Sequence, residues 1–272
     1  YSGISINGGT GSMIVNNSIS YKQQGHGIFA NGSNGVYISR NDVGYQGIYG
    51  KTGIRVNGST GASIVQNSSI KAYCTGVMAE NYVGTIYNNP FIYVDGLCDQ
   101  VGGGIALSNS MGVSSDESEI NGNILHVSNS IFGISCQVST DYGIKNNEIN
   151  INGSAALQGI QVIGSDYIDV EENVIIGTEN ETGVFVDNSQ MGLFKCNDYI
   201  NLDLGFHANE NNMILDIIRE DFLSTNTDIE IHGPIGPQNF HGNEFHQEGW
   251  CWAIGMTLAE INASRFTYNP NI

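Results

Sequence analysis

The stretch GISCQVSTDYGIKNNEININ, from Gly133 to Asn152, is followed one repeat later by GIQVIGSDYIDVEENVIIGT, from Gly159 to Thr178. Both open on Gly-Ile, and both carry the pattern apolar-x-x-Asn-x-apolar, as Ile144/Asn147/Ile149 and Val170/Asn173/Ile175. Outward from this pair the pattern recurs at Ile14/Asn17/Ile19, Ile38/Asn41/Val43, Ile86/Asn89/Phe91, Ile120/Asn123/Leu125, Phe194/Asn197/Tyr199 and Phe240/Asn243/Phe245. Ile64/Asn67 keeps it except for Ser69 in the last slot, and Ile217/Glu220/Phe222 and Ile261/Ser264/Phe266 close two gaps with substitutions. From Asn17 to Ser264 the fourth position advances by roughly 24 residues at each step, with one longer step from Asn89 to Asn123. Chance does not produce such a series, and a near-constant period of this length marks a repeat architecture.

A second motif keeps step. Glycines followed by Ile or Val stand at one fixed distance before the Asn: Gly3 before Asn17, Gly27 before Asn41, Gly53 before Asn67, Gly133 before Asn147, Gly159 before Asn173 and Gly183 before Asn197. Two positions after that apolar residue comes another small or apolar one, such as Ala30, Val56, Cys136 or Val162, which is the alternation of a strand. A unit of this length holding short strands between Gly and Asn corners has one good solution, a coil whose equivalent strands stack in parallel. The expectation is an all-β, right-handed, single-stranded parallel β-helix of about eleven coils, a rod of roughly 50 Å at about 4.8 Å per coil. Asn17, Asn41, Asn67, Asn89, Asn123, Asn147, Asn173, Asn197 and Asn243 would form a structural ladder of corner amides, accepting left-handed backbone angles and bonding from coil to coil. Glu220 and Ser264 would interrupt it. A leucine-rich horseshoe also repeats an Asn, but its Leu-rich runs and helical segments are missing.

The composition agrees. Of 272 residues 36 are Gly and 33 are Asn, both suited to tight corners, and 40% are hydrophobic. The 27 acidic and 9 basic residues leave a net charge of −18, which repels nucleic acid, anionic lipid and polyanionic glycans and attracts cations such as Ca²⁺. No apolar run is long enough for membrane insertion. The five cysteines form no CxxC pair. Their odd number and wide spacing suggest mostly free or buried thiols, with Cys74 and Cys98, close to one repeat apart, the best-placed pair for a disulfide. Residues 1–272 read as one domain, with regular coils over 1–204 and less regular ones over 205–272, and as an excerpt of a larger protein.

These motifs resemble the parallel β-helix repeats of the pectate-lyase-like superfamily. The segment from Ile235 to Asn243, followed by Trp250, is similar to late coils of large surface proteins of Bacteroidetes that leave the cell by type IX secretion. The resemblance implies an extracellular or cell-surface location. It does not choose a function, because that superfamily holds lyases, hydrolases, epimerases, tailspikes and adhesins.

Catalytic chemistry needs a cluster. Gly25-His26-Gly27 with Arg55 one coil later suggests a polygalacturonase-like site, but no pair of acids accompanies His26 to protonate a leaving group and activate water. A lyase needs cation-binding acids and a Lys or Arg base. Asp169, Glu171 and Lys195, the last one repeat beyond Glu171, are the candidates, and Asp166, Asp169, Glu171 and Glu172 are the candidate Ca²⁺ ligands. The plainer reading is a cross-coil ion pair. His241 and His246 suggest a metal only if a turn lies between them, and Ser114–Glu119 is an acidic inserted loop. Aromatic rings stack on sugars; Tyr37, Tyr45, Tyr49, Tyr82, Tyr87 and Tyr93 crowd the first coils, and Trp250 and Trp252 lie two apart. Tyr45, Tyr49, Trp250 and Trp252 are the candidate glycan contacts.

The sequence therefore points to a non-catalytic structural or adhesive segment of a secreted bacterial surface or filament protein. The alternative is a polysaccharide-active enzyme or a glycan-binding module. Expected partners are flanking domains of the same polypeptide or symmetric copies, with glycans or cell-surface ligands, and no cofactor beyond Ca²⁺.

Overall fold

The computed structural model describes residues 2–21, 25–44, 50–96, 98, 102–115, 117–153, 157–210, 212, 214–236, 238–239, 243–245, 250–253 and 266–267. Among these every regular element is a strand, and the chain winds as a parallel β-solenoid. Each coil supplies three strand positions, and equivalent positions pair in register to make three long files. In the first, Ile4, Ile28, Ile54, Val77, Ile105, Ile134, Ile160, Val184, Phe206 and Ile229 stand one above another. Ten members make about nine full turns, fewer than the eleven coils expected. The larger count included the repeats around Asn243 and Ser264. Of those only the short strands Glu244–Phe245, Trp250–Ala253 and Phe266–Thr267 belong to the described residues, and Ser264 lies outside them.

The second file stacks Ile14, Ile38, Ile64, Ile86, Ile120, Ile144, Val170, Phe194 and Ile217, and the third runs from Ile19 and Val43 to Ile175, Tyr199 and Phe222. All of these are buried, so apolar side chains of alternating positions fill the interior while their neighbours face out. No coil could bury this face alone; stacking makes the core continuous. Although Tyr82, Phe132 and Tyr142 are buried beside the files further back, the buried residues within the files are aliphatic for most of the length and become aromatic late. There Phe194 packs edge-on against Phe206 at 5.1 Å, and Tyr199 stacks on Phe222 at 4.9 Å.

At the corner between the second and third files the Asn amides form a continuous stack. From Asn17 to Asn173, the backbone N–H and the Nδ2 of each Asn both donate to Oδ1 of the Asn one coil on, at 2.8–3.1 Å. From Asn41 to Asn197, Nδ2 also donates to a main-chain carbonyl of the coil before, Ile14 for Asn41 and Val170 for Asn197, at 2.8–3.2 Å. An interior amide thus uses both its hydrogens and both lone pairs, which is what lets it be buried without penalty. The left-handed residue is not the ladder Asn, as expected, but the one before it: Asn16, Arg40, Gln66, Asn88, Gly122, Asn146, Glu172, Cys196 and Arg219 all have φ between 52° and 66°. The sharp turn is placed one residue early so that the ladder side chain points inward.

Glu220 does not interrupt the ladder. Asn197 Nδ2 donates to its Oε1 at 3.0 Å, and its own N–H donates to Asn243 Oδ1 at 2.9 Å. Its second oxygen is buried without a hydrogen-bond partner, and the Tyr199 hydroxyl, also buried, lies near it but outside bonding geometry. Burial pushes this carboxyl up to about 8 from 4.5, against the pull of its bonds to Asn197. The folded chain therefore holds the proton more tightly than the unfolded one. Its stabilising contribution is whole below about pH 4.5 and is lost as pH rises through about 8. Glu220→Gln should melt close to the parent at about pH 4.5 and several degrees higher at about pH 9. An equal difference at both pH values in thermal melts would show that the carboxyl is charged in the fold.

A serine file runs along the next corner. Ser110 N–H donates to Ser139 Oγ, Ser139 to Ser165, Ser165 to Ser189, and Ser189 to Asn212 Oδ1, at 2.9–3.3 Å. Each hydroxyl donates back to the carbonyl two residues earlier, as Ser139 does to Gln137 at 3.0 Å. The glycines of the Gly-Ile motif are required by space: a Cβ on Gly133 would stand 2.5 Å from both the Gly159 carbonyl oxygen and Ile149 Cγ2. Cys74 and Cys98 are joined as a disulfide with Cα atoms 5.4 Å apart, tying neighbouring coils; Cys136 is a buried free thiol, and Cys196 is free and half-buried.

Candidate functional site

The outward residues of the third file begin polar and turn aromatic. Lys71, Tyr93, His126, Asn150 and Ile176 lie above one another on successive coils because each is the neighbour of a buried file member. Phe91, two residues before Tyr93 with Ile92 buried between them, shares that face. The Phe91 ring lies parallel to that of Tyr93, 6.1 Å away and 2° off in plane, and 5.4 Å from His126. Lys71 Nζ stands 5.7 Å over the Phe91 ring centre, a cation–π contact. Phe91, Tyr93, His126, Asn150, Asn152 and Thr178 border a groove of about 500 Å³ that runs along the rod across four coils.

The rim is held by polar contacts. Tyr93 hydroxyl donates to Asp95 Oδ2 at 3.2 Å, and Asn129 Nδ2 to Asp95 Oδ1 at 3.0 Å. At the far end the buried Glu181 accepts from the N–H groups of Gly153, Thr178 and Asn180 and from the Thr178 hydroxyl, so one carboxylate gathers the turn that closes the groove. The lining offers ring faces, an imidazole and amides, with no concentration of charge. That suits a ligand with an apolar face and polar edges, as a hexose ring has.

The residues singled out in the sequence fall elsewhere. His26 stacks on Phe29 at 5.4 Å; its Nδ1 is buried without a hydrogen-bond partner, and burial, with Arg55 nearby, pushes the imidazole below its usual value. Arg55 is engaged by Glu80, at 2.7 Å and 3.0 Å through two nitrogens. Lys195 stands over Glu171 at 3.7 Å, and Lys145, from the coil before, approaches the same carboxylate at 3.3 Å. Glu171 is thus the middle of a cross-coil charge file. Asp166, Asp169, Glu171 and Glu172 do not converge on one point: Asp166 pairs through its backbone with Gln190 at one corner and Glu172 takes the left-handed turn at another.

Tyr82 is fully buried, its hydroxyl donating to the carbonyls of Ala62 and Thr85, and so is not a sugar contact. Tyr37 and Tyr87 are exposed on the second file. Tyr45, Tyr49, His241 and His246 lie outside the described residues. Trp250 and Trp252 pair with Thr227 and Glu230 as strand residues, and their side chains lie outside the described part. The groove was missed because its members come from four coils. The signal was present in Phe91-Ile-Tyr93 and in His126, one coil on at the position of Tyr93. The serine file had a signal too: Ser33, Ser59, Ser110, Ser139, Ser165 and Ser189 each follow a Gly-Ile or Gly-Val glycine at one constant spacing, as Ser139 follows Gly133.

No family model, no curated protein and no solved structure matches this chain.

Proposed function

We propose that this chain is a non-catalytic structural and adhesive segment of a larger extracellular protein, and that the groove along its third file docks an uncharged glycan. The observation that carries the reading is the stacked Phe91, Tyr93 and His126 face with amides at its edge. A net charge of −18 favours neutral over polyanionic chains. The Cys74–Cys98 disulfide supports an oxidising compartment, outside the cytosol. Kinship with the pectate-lyase-like superfamily, and type IX secretion from a Bacteroidetes cell, belong to the same proposal and rest on the repeat motifs. So do flanking domains or symmetric copies, which would cover the two end coils.

The test is affinity electrophoresis through gels of neutral polysaccharides, after a glycan array has chosen them, with product analysis of the same mixtures. Tyr93→Ala and Phe91→Ala should each weaken retardation at least tenfold, roughly 1.4 kcal/mol, and leave the melting temperature nearly unchanged because both rings face outward. Retardation identical in parent and variants would remove the groove from the proposal. Release of reducing or unsaturated ends, abolished by His26→Ala or Asp169→Ala, would replace adhesion by catalysis.

A further inference from the structure

We propose that His207, Glu230 and His232 form a binding site for one divalent ion of the zinc class, which clips two successive late coils together. The three residues come from the first file. His207 faces outward between buried Phe206 and Ala208, and Glu230 is its direct partner one coil on. His232 is two residues beyond Glu230, with Ile231 buried between them, so both project on the same side. One ligand atom from each of the three lies within 4.8 Å of the other two.

Several contacts prepare the group. His232 Nε2 and Glu230 Oε1 already share a hydrogen at 2.5 Å, which an ion would replace. The two imidazoles are 5.1 Å apart, and His207 is held edge-to-face by Phe185 from the coil before, at 5.2 Å. His207 Nε2 is buried with no hydrogen-bond partner, which leaves a nitrogen of this cluster without the contact that burial normally demands. Two imidazoles and one carboxylate are a borderline donor set that suits Zn²⁺ and neighbouring first-row ions better than Ca²⁺ or Mg²⁺, which take oxygen shells. Metal–ligand distances of about 2.0–2.2 Å require the three atoms to draw in modestly. Glu230 and His232 side chains are 24% and 32% exposed, so water can complete the shell.

The site lies where the ladder changes from Asn to Glu220 and the file residues from aliphatic to aromatic side chains. An ion there would bind only the wound state and so raise its stability. Untagged full chain, stripped with chelator, is titrated with Zn²⁺ alone by calorimetry and melted with and without it. The expected result is one ion per chain and a melting temperature higher by about 5 °C, with His232→Ala and Glu230→Gln each weakening binding roughly 100-fold or more. His126→Ala, far along the rod, should bind as the parent does. Diethyl pyrocarbonate labelling of the parent gives a readout that needs no variant: Zn²⁺ should protect His207 and His232 and leave His126 reactive. No uptake by the parent, labelling unchanged by Zn²⁺, or uptake that survives both substitutions overturns the proposal.

Discussion

Replacing Asn147 by Leu should lower the stability of the coils around it by about 4 kcal/mol or more, the largest loss expected from a single polar side chain here. The volume is nearly kept, so the effect isolates hydrogen bonding. Asn147 Oδ1 takes the backbone N–H and Nδ2 of Asn123, both at 3.0 Å, and its Nδ2 serves the Ile120 carbonyl at 2.8 Å. Its Nδ2 also serves Asn173 Oδ1 at 2.9 Å, so four buried groups lose a partner at once, each at a cost of up to about 1–3 kcal/mol, and no water can reach them because Asn123, Asn147 and Asn173 are at most 1% exposed. Asn147→Asp should do no better at neutral pH. It keeps the acceptor for Asn123, but its second oxygen faces the Asn173 Oδ1 and the Ile120 carbonyl oxygen, both acceptors. Acid should partly rescue it by restoring a donor. Urea midpoints and amide exchange at Asn123 read both effects; a loss below about 1 kcal/mol would mean that the stack is decoration on a fold held by its apolar files alone.

Gly133→Ala should cost about 3 kcal/mol, through space rather than through bonding. The new methyl would sit 2.5 Å from Gly159 O and 2.5 Å from Ile149 Cγ2. The isoleucine can turn aside, but the carbonyl cannot, because Phe132 and Ile134 are locked in parallel register with Gln158 and Ile160. Ile149→Ala in the same chain should therefore relieve only part of the loss. Gly164 is the useful contrast. Its φ is 55° and nothing lies closer to a built Cβ than Val138 Cγ2 at 4.0 Å, so alanine there should cost only about 1 kcal/mol, the conformational term. Equal losses at both positions in urea unfolding would refute the steric account.

The period of the coil was legible because it is written in residues that the interior restricts severely. Ile or Val at the file positions and Gly at the close approach admit few replacements, so the spacing survives an excursion as long as that between Asn89 and Asn123. The corner that turns left-handed was misplaced by one residue because Asn is common on both sides of it, as in Asn16-Asn17, Asn88-Asn89 and Asn146-Asn147. Only bonding geometry separates the amide that turns from the amide that stacks. Glu220 was read as a break because a carboxylate normally resists burial, whereas a protonated one has the same acceptor to offer as an amide. The groove left a signal in Phe91-Ile-Tyr93 and His126, but register was needed to show that they meet, and the His207 group needed it too. Their members are ordinary residues on outward positions, where sequence varies freely, and they meet only because one coil length separates them.

The Asn stack also has a sense. Each Oδ1 receives from the coil before, and each backbone N–H and Nδ2 gives to the Oδ1 of the coil after, so the amide-to-amide bonds point one way along the rod like an arrow, beside the bonds that Nδ2 sends back to main-chain carbonyls. A neighbour placed before Asn17 must bring a donor for its Oδ1, and the row keeps its sense through Glu220 to Asn243, the last ladder position among the described residues. Two rods meeting at their Asn17 ends would set oxygen against oxygen, while rods queued nose to tail would carry the arrow through the joint. Any assembly that extends this row is thereby obliged to be vectorial.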